Sequence, residues 1–89
     1  MISQQVKVIN KLGLHARAAT KLVNCASRFE SNISVARGAR EVNAKSIMGV
    51  LTLAAAAGTE LTVEADGPDE AEAMQAVTRL FLDYFGEGE

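Results

Sequence analysis

Apolar residues in this chain change their spacing repeatedly, from every second position to every third or fourth and back, within 89 residues. An extended segment spaced by two and a helix spaced by three or four each carry one apolar face, and each must bury that face against another element. A chain this short supports one modest core. The strands are therefore expected to share one sheet, and the helices to cover one of its faces. Residues 1–89 are expected to form a single domain, since no repeat, charge block or Pro/Ser-rich linker divides them.

The β-branched run Val6-Lys7-Val8-Ile9, stopped by Asn10 and Gly13, predicts a first strand. Ala19, Leu22, Val23, Ala26 and Phe29 then recur at helical spacing and predict a helix from about residue 16 to 28. Ile33 and Val35 alternate with polar neighbours before Arg37-Gly38-Ala39-Arg40 turns the chain into Glu41-Val42-Asn43, the pattern of a hairpin. Ser46 is placed to cap a short helix running to Leu53. Leu61, Val63 and Ala65 alternate as a fourth strand, and Gly67-Pro68 ends it. Asp69 with Glu72 resembles a capping box for a last helix, whose stripe is Ala73, Val77, Leu80, Phe81 and Tyr84. The order βαββαβα predicts an α+β fold, a two-layer open-faced sandwich. Its four-stranded antiparallel sheet carries three helices on one face, and Lys7, Thr62 and Glu64 point from the open face.

The only histidine, His15, falls between the first strand and the first turn of the first helix, after the turn at Gly13. It should be exposed there. The backbone N–H groups of Ala16, Arg17 and Ala18 would lack helical partners and sit at the positive end of the helix dipole, a ready anion site. Arg17 adds a guanidinium fork suited to a pair of phosphate oxygens. A phosphate held there would lie beside an imidazole nitrogen able to act as a nucleophile, so phosphoryl transfer onto the ring is the chemistry suggested. Taken alone, a histidine near a helix start is more often a polar cap or a solvent-facing residue.

The short helix after Ser46 is apolar nearly all round, although only one side of it can meet a two-layer core. Val50 and Leu53 are expected inward, leaving Ile47, Met48 and Leu51 partly exposed. A flexible methionine in an apolar patch suits several partners. On the first helix, Arg17, Lys21, Asn24 and Arg28 align as a mostly cationic stripe, complementary to an acidic docking surface. Thr20, Lys21 and Asn24, with Ile47, Met48 and Leu51, are the expected docking residues.

Other classes find less support. A net charge of -2 lacks the basic excess of nucleic-acid binders, and none of the predicted strands contains the aromatics of an RNA-binding sheet. No second histidine or nearby carboxylate accompanies His15 in the sequence, so neither a metal nor another cofactor is expected. The lone Cys25 and the N-terminus MISQQVKV, without a basic n-region or long apolar run, favour a cytoplasmic protein without membrane insertion. A metabolite-binding regulatory domain could share the fold, but its ligand would call for a pocket.

Gly13-Leu14-His15-Ala16-Arg17 and Asn43-Ala44-Lys45-Ser46-Ile47-Met48-Gly49-Val50 together resemble, in type and spacing, the HPr phosphocarrier family of the bacterial phosphoenolpyruvate-dependent sugar phosphotransferase system. The resemblance covers essentially the whole chain, including the Asp66-Gly67 turn before the last helix. It implies that His15 accepts a phosphoryl group on Nδ1 from enzyme I and passes it to an enzyme IIA, with Arg17 as phosphate partner. It further implies regulatory phosphorylation of Ser46 in lineages that possess an HPr kinase/phosphorylase. A monomer is expected. The family usually carries proline where this chain has Ala18, which leaves open a nitrogen-related paralogue serving a regulatory enzyme IIA.

Overall fold

A computed structural model describes residues 1–87. The elements run β1 (Ile2–Lys7), α1 (Ala16–Ala26), β2 (Asn32–Arg37), β3 (Arg40–Asn43), α2 (Ile47–Leu51), β4 (Glu60–Asp66) and α3 (Glu70–Leu82), and a 3₁₀ turn at Tyr84–Gly86 comes after α3. The four strands form one antiparallel sheet in the order β1-β4-β2-β3, with Val63 of β4 opposite both Gln4 and Val35. The expected α+β sandwich is the fold observed. Ile33, Val35, Leu61, Val63 and Ala65 are buried beneath Leu22, Val50, Val77 and Phe81 from the three helices. Among the described residues, no helix is long and apolar enough to cross a membrane.

Four boundaries differ from those the residue pattern predicts, each for a backbone reason. The first strand begins at Ile2 and ends at Lys7 instead of spanning Val6 to Ile9. Ser3, Gln4 and Gln5 lack strand-favouring side chains, but pairing with β4 supplies their ladder bonds regardless. Val8 lies past the ladder and bonds to Thr59 O and Gly58 N. Helix α1 stops at Ala26 because Arg28 and Phe29 bond three residues back, to Cys25 and Ala26, in tightened turns. Helix α2 stops at Leu51 for the same reason, with Leu53 bonded to Val50 and Ala54, in left-handed backbone, bonded to Leu51. Tyr84 lies beyond α3, and the buried place expected for it is taken by Phe85, stacked edge-on against Phe81 at 4.8 Å between centroids.

Two turns set where α1 and α3 begin. Gly13 adopts φ +71°, and a Cβ there would lie 2.5 Å from the carbonyl oxygen of Ala55, the acceptor for the Leu14 N–H at 2.8 Å. Glycine is therefore required on conformational and steric grounds. At the start of α3 the expected Asp69–Glu72 capping box does not form. Asp69 turns instead to the α1–β2 connection and accepts hydrogen bonds from Glu30 N (2.9 Å), Ser31 N (2.9 Å) and Ser31 Oγ (2.5 Å). Glu70 closes the turn by accepting from Gly67 N at 3.1 Å.

The Ser31 hydroxyl first, then the Glu30 and Ser31 amides, hold the Asp69 carboxyl below its ordinary range against a smaller opposing effect of burial. Because the native pKa is depressed, the native state binds fewer protons than the unfolded chain. The stabilisation is thus complete above the unfolded pKa of about 3.9 and fades as pH falls through the native value. Asp69→Asn should lower the melting temperature at pH 7, and the gap from the parent should narrow as pH is lowered below about 4. Melting curves recorded from pH 7 to pH 2 on both proteins check this; a constant gap would remove Asp69 from the acid dependence.

Candidate functional site

His15 is the N-cap residue of α1, in extended backbone (φ -80°, ψ -179°), and its Nδ1 accepts from the backbone N–H of Arg17 at 3.3 Å. A side-chain acceptor at this position satisfies one of the free amides that open every helix. The turn at Gly13 fixes the approach: Asn10 O accepts from Gly13 N at 3.1 Å, and Gly13 O accepts from His15 N at 2.9 Å.

The imidazole is half-buried rather than exposed, because a carboxylate covers its other nitrogen. Glu87 Oε2 lies 2.5 Å from Nε2, while Glu87 Oε1 accepts from Asn10 Nδ2 at 3.0 Å. Asn10 is fully buried and also donates to Gly13 O at 2.8 Å. Burial works against ionisation of Glu87. The bonds from Asn10 and His15, with the Lys21 ammonium nearby, outweigh it and hold the carboxyl below its usual range. An ionised Glu87 only accepts, so the Nε2 facing it carries the proton. The Nδ1 facing the Arg17 N–H then presents its lone pair. The ring is thereby oriented with its unprotonated nitrogen toward the start of α1.

Of the three backbone amides expected to receive an anion, not all are free. The Arg17 amide is already engaged by Nδ1, whereas the Ala16 and Ala18 amides have no protein partner among the described residues. Ala18 is fully buried in the first turn, and the helix runs through it without a break. The Arg17 side chain is exposed. Together with Lys11, Leu12, Lys21, Gly86 and Glu87 it lines a depression of about 440 Å³ beside the ring. Lys21, in the cationic stripe, is tied down at its head, where Nζ donates to Phe85 O at 2.6 Å. Arg28, at the far end of that stripe, lies over the Phe29 ring.

Helix α2 packs against α1. Ser46 is its N-cap, with Oγ accepting from Gly49 N at 3.1 Å. Val50 and Leu53 are buried, Ile47 and Met48 are 41% and 73% exposed, and Leu51 is half-buried, the distribution expected of a short helix with a free apolar side. Thr20 and Asn24 are exposed on α1, the Thr20 hydroxyl donating to Ala16 O at 2.8 Å.

Glu87 and Asn10 are site residues that the sequence pattern does not reveal, and a carboxylate does lie against His15, contrary to the expectation that none would. Asn10 reads locally as a strand terminator. Glu87 lies 72 residues from His15, and the backbone reversal that brings it back has Tyr84 and Phe85 in left-handed conformation, which no residue-type preference signals.

A family model described as "PTS HPr component phosphorylation site" matches residues 2–83. The chain is 55% identical to the phosphocarrier protein HPr of Neisseria meningitidis serogroup A over 89 residues, covering all of both chains. It is 53% identical to the phosphocarrier protein HPr of Cupriavidus necator, again over all of both. Among solved structures, HPr-C-His from Thermoanaerobacter tengcongensis matches with a TM-score of 0.95 at 42% identity, covering 98% of each chain. The matched span takes in the helix-capping histidine, the Ser46 helix and the whole sheet, and by sequence and by fold the chain belongs to the HPr phosphocarrier family of the phosphotransferase system.

Proposed function

We propose that His15 is the residue that carries the phosphoryl group, accepting it on Nδ1 from enzyme I and handing it to an enzyme IIA in the cytoplasm. The observation that carries this reading is the orientation of the ring, with the Nδ1 lone pair at the start of α1 and Nε2 closed off by Glu87. Attack through Nδ1 brings the phosphoryl oxygens to the amides of Ala16, Arg17 and Ala18, where the helix dipole favours negative charge. The Arg17 amide exchanges a weak 3.3 Å bond to nitrogen for a charge-assisted one to oxygen. The exposed Arg17 guanidinium supplies the remaining charge.

The docking surface joins Thr20, Lys21 and Asn24 of α1 to Ile47, Met48 and Leu51 of α2. An apolar contact there is rimmed by cations that favour an acidic partner. Ser46 is proposed as a regulatory phosphorylation site for an HPr kinase/phosphorylase. A phosphate on its hydroxyl would put close to two negative charges at the edge of the Ile47–Met48 patch. Those charges repel an acidic partner and make the apolar surface harder to desolvate.

Incubation with phosphoenolpyruvate and enzyme I should add one acid-labile phosphoryl group, read by intact mass, and His15→Ala should abolish it. Arg17→Ala should leave the circular dichroism and melting curve unchanged while slowing labelling by roughly tenfold or more, a loss of the kind seen when one donor to a developing anion is removed. Labelling of His15→Ala would overturn the assignment of the ring, and unchanged kinetics would remove Arg17.

Ser46→Asp places an anion at a helix N-terminus and should keep or raise stability, by a few tenths up to about 1 kcal/mol. The same change should weaken enzyme I binding and slow His15 labelling, most clearly at low salt. A variant that docks and labels like the parent at low ionic strength would leave Ser46 as a helix cap alone.

A further inference from the structure

The segment after α3 is built in a costly way. Tyr84 and Phe85 have φ of 55° and 52°, a conformation that side-chain-bearing residues seldom adopt, and Gly86 comes next at 74°. Left-handed backbone costs free energy at every residue that carries a Cβ. Strain of this kind persists where the surroundings hold it. Here the Phe85 ring is fully buried against Phe81, and the Phe85 carbonyl accepts from Lys21 Nζ at 2.6 Å. The product of the reversal is the placement of one side chain. Glu87 arrives over His15 with one carboxylate oxygen held by buried Asn10 and the other on Nε2.

We propose that Glu87 is a positioning residue for phosphoryl transfer at His15: its carboxylate holds the Nε2–H tautomer and the ring plane, and balances the positive charge that the ring acquires when Nδ1 is phosphorylated. This rests on His15 being the phosphoryl carrier. In the transfer step the Nδ1 lone pair forms the N–P bond as the bond between phosphorus and the donor breaks, and that electron pair leaves with the donor. The ring keeps its proton on Nε2 throughout and becomes a cation, now paired with the carboxylate already in contact. Return of the phosphoryl group to an acceptor reverses the charge. Lys21, Lys11 and Arg17 also border the depression, so the carboxylate offsets local positive charge that would otherwise oppose a cationic ring. The arrangement uses Glu87 and Asn10 as a carboxylate and its holder behind a reacting imidazole, a division of labour that orients the nitrogen and stabilises imidazolium character.

The test uses the full chain labelled with ¹⁵N in histidine. Long-range proton–nitrogen spectra read the tautomer, and the Nε2-bound proton itself is read far downfield at low temperature. Labelling by phosphoenolpyruvate and enzyme I is timed on the same samples. In the parent, Nε2 is the protonated nitrogen and its proton is protected from exchange with water. Glu87→Ala should lose the protected proton, raise the Nδ1–H fraction and slow labelling by about tenfold, the lower end of what orienting partners of a functional histidine supply. Glu87→Gln keeps an acceptor but loses the charge. It should hold the tautomer and still label more slowly than the parent. A Glu87→Ala protein with the parental Nε2 proton and parental labelling rate would overturn the proposal, and parental labelling in Glu87→Gln would overturn its charge-balancing part. If the parent itself takes no phosphoryl group, the carrier reading fails, while the spectra still report whether Glu87 holds the ring.

Discussion

The buried side of the β2–β4 pair is the surface on which every other element rests. Ile33, Val35, Leu61, Val63 and Ala65 form a continuous apolar floor, and the strands carrying them lie at the centre of the sheet with neighbours on both sides. Removing apolar area from water is the dominant favourable contribution in a domain of this size, and here it can be realised only if α1, α2 and α3 all lie on the same side. That one-sided layering fixes where helix ends emerge. The start of α1, the free side of α2 and the reversal after α3 are all consequences of covering one floor with three helices. A truncation such as Phe81→Ala, at the point where α3 meets that floor, belongs to the class of change costing about 3–5 kcal/mol.

What is legible in the sequence and what is not divide by distance along the chain. Element type and order are written in periodicity, because a helix that buries one stripe and a strand that buries one face set those stripes into consecutive residues. His15 at a helix start, Ser46 as a cap, and the inward Val50 and Leu53 are likewise local and legible. Strand ends are not, where ladder pairing with a partner some sixty residues away overrides weak residue preference at Ser3 to Gln5.

The two larger departures have one cause. Asp69 and Glu87 are acidic residues whose partners lie 38–39 and 72–77 positions back in the chain. The nearest role open to Asp69, an acid before a helix, is a cap, yet its three donors belong to the α1–β2 connection. Glu87 has no local role at all. Long-range polar contacts leave no periodic trace, because a single hydrogen bond constrains only one position on each side. Buried polar groups such as Asn10 show only that a partner is needed, not which residue supplies it.

The reversal at Tyr84–Gly86 also sets a timescale. Residues 84–87 are fastened by the buried Phe85 ring, the Lys21 hydrogen bond, the Glu87 contacts and two local backbone bonds, from Gly86 N to Asp83 O and from Glu87 N to Tyr84 O, and among the described residues their backbone belongs to no sheet. Regions with few fastenings open by themselves at free energies well below that of global unfolding. The amides of residues 84–87 should therefore exchange with solvent long before those of β2 and β4, with α1 and its cap intact. His15 thus keeps one constant neighbour, the start of its own helix, and one intermittent neighbour, a carboxylate whose departure requires no change in the sheet. Whatever fraction of time that segment spends open is the fraction during which Nε2 meets water instead of Glu87, so the local opening equilibrium enters directly into the behaviour of the ring.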